Sequence, residues 1–192
     1  MASALTGSIY RATLLWDIVK NAYDPKNVFP WWNQIDAQIY LGAIPLLNKN
    51  HITKFKELGI DAVVTILEMF EIQTDTYISQ PVKGVDWKAN NIENQLLLTQ
   101  DYSPIQMDKL NKGVEFMHDQ ITNGHTVYVH CKSGKGRSPT LIACYLLKYG
   151  LSNGKKFALP SEAIEYIREK RNIINLNEGQ KNIVYEFWEN LL

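Results

Sequence analysis

The sequence predicts an α/β protein whose central, largely parallel sheet of about four to five strands is flanked by helices, and three observations predict it. Short apolar or β-branched runs alternate along the chain with helical patterns, the order that a sheet with crossover helices requires. The run at 61–67 is dense in β-branched residues, as suits a strand buried on both faces. The run at 126–130 passes directly into a glycine-containing loop that opens a helix, a strand–loop–helix unit suited to holding an anion.

Composition sets the bounds. At 192 residues and 45% hydrophobic content the chain supports one substantial core and not two ordinary domains. Lysine plus arginine number 20 and aspartate plus glutamate number 20, so no overall field favours nucleic acid and any anion site must come from a local cluster. Two cysteines, Cys131 and Cys144, cannot form a disulfide framework and lack partners for a zinc site. A reducing, intracellular setting is expected, with no metal and no other cofactor.

Residues 1–29 read as an amphipathic helix and a linker, and 30–192 as the main domain. Leu5, Ile9, Ala12, Trp16, Val19 and Tyr23 recur at spacings of four and three, which places them on one helical face. That face must bury. Either it packs on its own domain, or residues 2–23 contact a membrane surface peripherally. A mitochondrial presequence is a third reading, weakened by Asp17 and by few arginines; a secretory signal lacks its charged start and cleavage site. The linker is 24–27, with Pro25.

In the domain, 38–41 reads as a strand closed by Gly42, 50–58 as a helix stopped by Gly59, and 61–67 and 96–99 as strands. The stretch 80–87 has no assignment. Ser103-Pro104-Ile105-Gln106 combines an N-cap serine, a proline at the first helical position and a capping-box glutamine; Leu110, Val114, Met117 and Ile121 continue the helix. After the strand at 126–130 come helices at 139–149, stopped by Gly150, at 161–171, and at 177–190, where Asn177 and Gln180 have capping-box spacing.

The chemistry lies in His130-Cys131-Lys132-Ser133-Gly134-Lys135-Gly136-Arg137-Ser138. A loop between strand and helix wraps successive backbone N–H groups around an anion at the helix N-terminus, and Gly134 and Gly136 permit the angles and close approach of that wrap. Lys132, Ser133, Gly134, Lys135 and Gly136 are thus the phosphate cradle. Arg137 closes it, because a planar guanidinium holds two phosphate oxygens at once. The same amides and helix dipole stabilise a thiolate at Cys131, lowering its pKa from about 8.5 toward roughly 3.5 to 7.5. Such a thiolate attacks a phosphate monoester in line to form a cysteinyl-phosphate that water hydrolyses. Ser138 is placed to donate to the sulfur as it leaves, and His130 to orient the loop.

Expelling an alkoxide or phenoxide needs a general acid on a neighbouring loop. Asp101 fits best, after the run ending at Thr99-Gln100 and before Ser103, where sites of open α/β sheets gather. Asp86, Asp108 and Asp119 are the alternatives. Cys144 reads as a small buried hydrophobe.

His130 to Ser138 resembles the HCxxGxxRS signature loop of the protein tyrosine phosphatase superfamily, in its compact dual-specificity branch. The resemblance implies the dual-specificity phosphatase fold, Cys131 as nucleophile, Arg137 as phosphate binder, Ser138 as the assistant to hydrolysis, Asp101 as general acid, and no metal. Trp32-Asn33-Gln34-Ile35-Asp36, Tyr40-Leu41-Gly42-Ala43-Ile44-Pro45-Leu46 and Asn111-Lys112-Gly113-Val114 extend it toward the mitochondrial, PTP-type phosphatidylglycerophosphate phosphatases. Glu68-Met69-Phe70-Glu71 stands where that subgroup has an acidic EEYE-like segment and retains the outer glutamates only. Lys132 and Lys135 resemble the CKxGKxR loop of the tensin-related phosphoinositide phosphatase, and two extra cations suit a multiply charged headgroup. The expected substrate is a phosphoinositide or related phospholipid such as phosphatidylglycerophosphate; a phosphoprotein, acted on by a dual-specificity protein phosphatase, is the alternative, and an inactive phosphate-binding module a distant third.

Overall fold

The computed structural model describes residues 2–192, and the side chains within that span except those of residues 2–6 and Ile9. Five strands form one sheet: β1 (Trp32–Asp36), β2 (Ile39–Gly42), β3 (Ile60–Thr65), β4 (Glu93–Leu96) and β5 (Thr126–His130), in the spatial order β1-β2-β5-β3-β4. Only β1 runs antiparallel, against β2. The largely parallel α/β sheet read from the sequence is therefore the one observed. Central β5 aligns His130 with Gly42 on one side and Thr65 on the other, so the glycine-containing loop that follows leaves the sheet at its carboxyl edge between two neighbouring strand ends.

On one face of the sheet lie α5 (Met107–Thr122), α6 (Arg137–Tyr149), α7 (Pro160–Lys170) and α8 (Glu178–Glu189). Leu41, Val64 and Val129 of the sheet meet Leu110, Val114, Leu141, Ile142, Ile167 and Val184 in one continuous core. Gly113 lets α5 approach closely: a Cβ there would come within 2.7 Å of Leu97 and 2.9 Å of Leu141. The opposite face is covered by α2 (His51–Glu57) and α4 (Gly84–Ala89), through Phe55 and Trp87 packed on Val63 and Tyr128. The short α3 (Met69–Gln73) lies beyond the end of β3, and α1 (Ala2–Tyr23) lies across the end of the sheet beside it.

Several boundaries differ from expectation. β1 was not expected, because its polar residues bury only Ile35 and leave no alternating pattern to read. β4 ends at Leu96, where a strand was expected to begin; the chain beyond it still runs beside β3, with Leu97 N–H bonded to Thr65 O at 2.8 Å and Thr99 N–H to Leu67 O at 3.0 Å. Ser103 does not cap α5: its N–H closes a turn on Gln100 O at 3.2 Å, Tyr102 is left-handed at φ 61, and the helix starts at Met107. α4 falls largely in the unassigned stretch.

The N-terminal helix brings the sharpest correction. It packs on the domain through Tyr10, Leu14 and Asp17, whereas Ala12, Trp16, Val19 and Tyr23, the face expected to bury, are exposed. The side chains of Leu5 and Ile9 lie outside the described residues. The helix is apolar on two sides, and spacing alone selects the longer series rather than the one with a partner.

Candidate active site

The loop after β5 owes its shape to where its carbonyls go. Cys131 O accepts from His130 Nδ1 at 3.2 Å, Lys132 O from Ile44 N–H at 3.0 Å, Ser133 O from Arg171 Nη2 at 3.1 Å, Gly134 O from Arg171 Nε at 3.0 Å, and Lys135 O from Asn175 N–H at 2.7 Å. In a trans peptide the carbonyl and the following N–H point opposite ways. Tying these five carbonyls outward therefore turns the amides of Lys132 through Gly136 toward the other side of the loop, the concave side of a phosphate cradle. Gly134 takes φ 68, and a Cβ there would stand 2.5 Å from Gly42 O; at Gly136 a Cβ would stand 2.6 Å from the Gln180 amide. Only glycine fits either position without displacement.

Cys131 sits at the bottom, 3% exposed, with the Ser138 hydroxyl donating to Sγ over 3.3 Å. Burial alone would push its thiol up; the Arg137 guanidinium and the hydrogen bonds from Ser138 outweigh it and bring the pKa below the ordinary thiol value. His130 is buried, which drives its pKa down to about 3 and keeps the ring neutral. Its Nδ1 faces a carbonyl and must carry the proton, so Nε2 accepts from Thr65 Oγ1 at 3.0 Å, and Thr65 Oγ1 in turn accepts from Asn94 at 3.0 Å. That chain orients the loop and holds the one ring proton of His130 on a backbone carbonyl.

Arg137 is 1% exposed in the first turn of α6. Glu71, fully buried, takes both terminal nitrogens, Nη1 at 2.7 Å and Nη2 at 3.1 Å, and Thr99 O accepts from Nη1 at 3.0 Å. The fork fixes the plane of the guanidinium. Burial would lower the pKa of Arg137, but Glu71 and the Cys131 sulfur raise it and hold the charge. Its Nε is buried without a hydrogen-bond partner among the described residues. The retained outer glutamates of the 68–71 segment thus have separate tasks: Glu71 holds the arginine, and Glu68 Oε1 accepts from Asp101 N–H at 2.9 Å. Exposed Met69 does neither, and Phe70 packs edge-on against Tyr10.

Asp101 stands over the cradle with one oxygen 2.6 Å from Lys132 Nζ and the other 3.0 Å from Arg137 Nη2. Burial raises its pKa, but Arg137 and Lys132 pull harder and hold the carboxyl below its usual range. The other aspartates stand elsewhere: Asp86 accepts from Lys83 N–H at the start of α4, and Asp108 and Asp119 are exposed on α5. Lys135 lines the same cavity, half-buried, its pKa lowered by burial and by nearby Lys20 and Arg171. Gln180 does more than begin its helix, since its amide closes against Gly136 and borders the cavity. The cavity holds about 320 Å³, and Tyr102, Asn175 and Asn177 complete its rim. No group of three or more potential metal-ligating side chains occurs among the described residues.

Glu71, Gln180 and Arg171 were not singled out as site residues from the sequence. Arg171 follows the last turn of α7, 1% exposed, and besides the two loop carbonyls it holds Pro30 O at 2.8 Å and Asn33 Oδ1 at 2.6 Å. Its position just after a helix explains it in sequence as an ordinary terminal cation.

A thiol of lowered pKa beneath inward-turned amides, a clamped arginine and a carboxyl over the mouth define a cysteine-dependent phosphatase site. Residues 39–190 match the family described as dual specificity phosphatase, catalytic domain, and the chain belongs to that family. It is 30% identical over 93% of its length to a phosphatidylglycerophosphate phosphatase, PTPMT2, of Arabidopsis thaliana, covering 71% of that protein. It is also 30% identical over 97% of its length to the phosphatidylglycerophosphatase and protein-tyrosine phosphatase 1 of Homo sapiens, covering 88% of it. Among solved structures, PTPMT1 in complex with PI(5)P superposes with a TM-score of 0.71 at 31% identity, over 84% of this chain and 96% of that one. The chain is thus a cysteine-dependent phosphoric monoester hydrolase.

Proposed function

We propose that the enzyme removes the terminal phosphate from a phosphorylated phospholipid headgroup, with phosphatidylglycerophosphate and phosphoinositides as the substrate class. In the first step the Cys131 thiolate attacks phosphorus, the bond to the leaving oxygen breaks, and protonated Asp101 gives its proton to that oxygen. In the second step water attacks the cysteinyl-phosphate, the Asp101 carboxylate takes its proton, and sulfur leaves with a hydrogen bond from Ser138. The amides of Lys132 through Gly136 and the Arg137 guanidinium hold the equatorial oxygens throughout. Asp101 is paired with Arg137 and Lys132, the same two cations that a dianionic phosphate takes. Binding the dianion loosens their hold on the carboxyl and raises its pKa toward that of a working acid.

The observation that carries the lipid reading is the pair of cradle lysines beside the arginine, in a chain alike over nearly its whole length to phosphatidylglycerophosphate phosphatases. Lys135, on the wall of the same cavity, can meet a second anionic group of the headgroup. The outward side of α1 supports it: Ala12, Leu15, Trp16, Val19 and Tyr23 are exposed together, with no charged residue among them, the pattern of a helix lying in a membrane interface. No helix among the described residues is long and apolar enough to cross a membrane. The test is kcat/KM of the full chain on phosphatidylglycerophosphate, phosphoinositides and phosphotyrosine peptides. Higher values on the lipids are expected; faster turnover of the peptides overturns the lipid reading. Trp16→Asp should cut sedimentation with anionic phospholipid vesicles several-fold, and unchanged sedimentation removes α1 from the account.

A further inference from the structure

Asp17 is the only acidic residue of α1. It faces inward, 4% exposed, on a helix that precedes the family match at residue 39. One of its oxygens pairs with Lys20 Nζ at 2.6 Å, and the other accepts from the hydroxyl of Ser133, the second residue after the nucleophile. Ser133 is thereby held at two points by two remote elements: its side chain by α1 and its carbonyl by Arg171. The surroundings hold more cation than acid. Lys20 Nζ, Lys135 Nζ and Arg171 Cζ lie 4.7, 5.4 and 5.9 Å from the centroid of the buried Phe29 ring, and among the described residues the one carboxylate bonded into this group is that of Asp17. A buried carboxylate is costly unless its oxygens are bonded, and here one bond goes to the catalytic loop itself.

We infer that Asp17 is a positioning residue for the phosphate cradle, acting through the Ser133 hydroxyl, so that the N-terminal helix is a working part of the active site. The inference rests on Cys131 being the nucleophile and is independent of which substrate arrives. Asp17 has two separable properties with opposite effects. Its hydrogen bond fixes the loop, and losing that slows turnover. Its negative charge opposes anion binding in the cradle, and losing that alone strengthens such binding.

The experiment is steady-state hydrolysis of a soluble aryl phosphate by full-length Asp17→Asn, Asp17→Ala, Ser133→Ala and the Asp17→Ala/Ser133→Ala double variant, with inhibition by inorganic phosphate and thermal unfolding in parallel. Asp17→Asn keeps an acceptor for Ser133: kcat should stay within about threefold of wild type, and phosphate should inhibit at equal or lower concentration. Asp17→Ala and Ser133→Ala should each lower kcat about tenfold, and the double variant should lose no more than either single one, because both break the same bond. Equal kcat in the Asn and Ala variants overturns the inference, as do multiplying losses in the double variant. A lowered melting temperature with kcat unchanged reduces Asp17 to a fold-stabilising role and overturns it too. Ser133→Ala removes one hydroxyl and leaves the apolar packing of α1 in place, so the inference stays testable if Asp17→Ala folds poorly. Failure of the nucleophile assignment shows separately, as turnover retained by Cys131→Ser.

Discussion

Cys131 and Cys144 are thirteen positions apart in sequence, both buried, and opposite in chemistry. Cys144 lies within α6 among apolar side chains, and burial pushes its thiol well above the ordinary value. Cys131 meets the same burial penalty, yet its pKa falls, because Arg137 and the Ser138 hydrogen bonds favour the thiolate. Burial silences a thiol; oriented donors activate one. The difference lies in the loop and not in depth.

The largest effect that would break the comparison is on turnover itself. Cys131→Ser should lower kcat by roughly 10⁴-fold or more, while Cys144→Ala should leave kcat within about twofold and cost about 1–2 kcal/mol of stability, read by denaturant unfolding. Next comes the guanidinium: Arg137→Lys keeps the charge but loses the planar fork and should cost about 10²–10³-fold in kcat/KM. Asp101→Ala should slow hydrolysis of alkyl phosphates about 10²-fold and of an aryl phosphate with a good leaving group far less; equal losses on both would remove the proton-donor role. Glu71→Gln keeps the shape of the clamp but not its charge. Buried ion pairs that lose a charged partner cost about 3–5 kcal/mol, and kcat/KM should fall about tenfold as Arg137 loses its fixed plane.

The smallest effect is a displaced pH profile, with its sign set by the two groups. The lowered Cys131 pKa means that its alkylation by iodoacetamide should reach its plateau at lower pH than a free thiol's, and Ser138→Ala should move that midpoint upward; Cys144 should stay unreactive until the protein unfolds. For Asp101 the carboxyl of the free enzyme titrates below the usual carboxylate range. In kcat/KM its loss of the proton should therefore fall at lower pH than in kcat, where bound phosphate draws Arg137 and Lys132 away from it.

What could be read in sequence was what is contiguous. The strand, the glycine loop and the helix that form the cradle occupy 126–149 without a break, so their order alone implies the anion site. The place of Asp101 beside the cradle was legible because the end of a strand track and a turn bracket it. Glu71, Arg171 and Asp17 were not, since each acts through a partner 37 or more residues away: Glu71 on Arg137, Arg171 on Gly134, Asp17 on Ser133. Locally, Glu71 reads as a capping residue of α3, Arg171 as a helix-terminal cation, and Asp17 as a charge interrupting an apolar face. The sheet was legible where strands are buried on both faces, as in β3 and β5, and obscure at the edges, where β1 and β4 carry mixed polar residues that alternate poorly. The face of α1 was misjudged because periodicity reports that a helix is apolar on a side, and only the partner decides which side packs.

The most direct test is to trap the intermediate. The full-length enzyme is mixed with a phosphorylated substrate, quenched in acid within the first turnovers, digested and sequenced by mass spectrometry. The account predicts phosphate on the Cys131 peptide, none on the Cys144 peptide, and none anywhere in Cys131→Ser. Steady turnover with no phosphate on Cys131, or phosphate on another side chain, would contradict it.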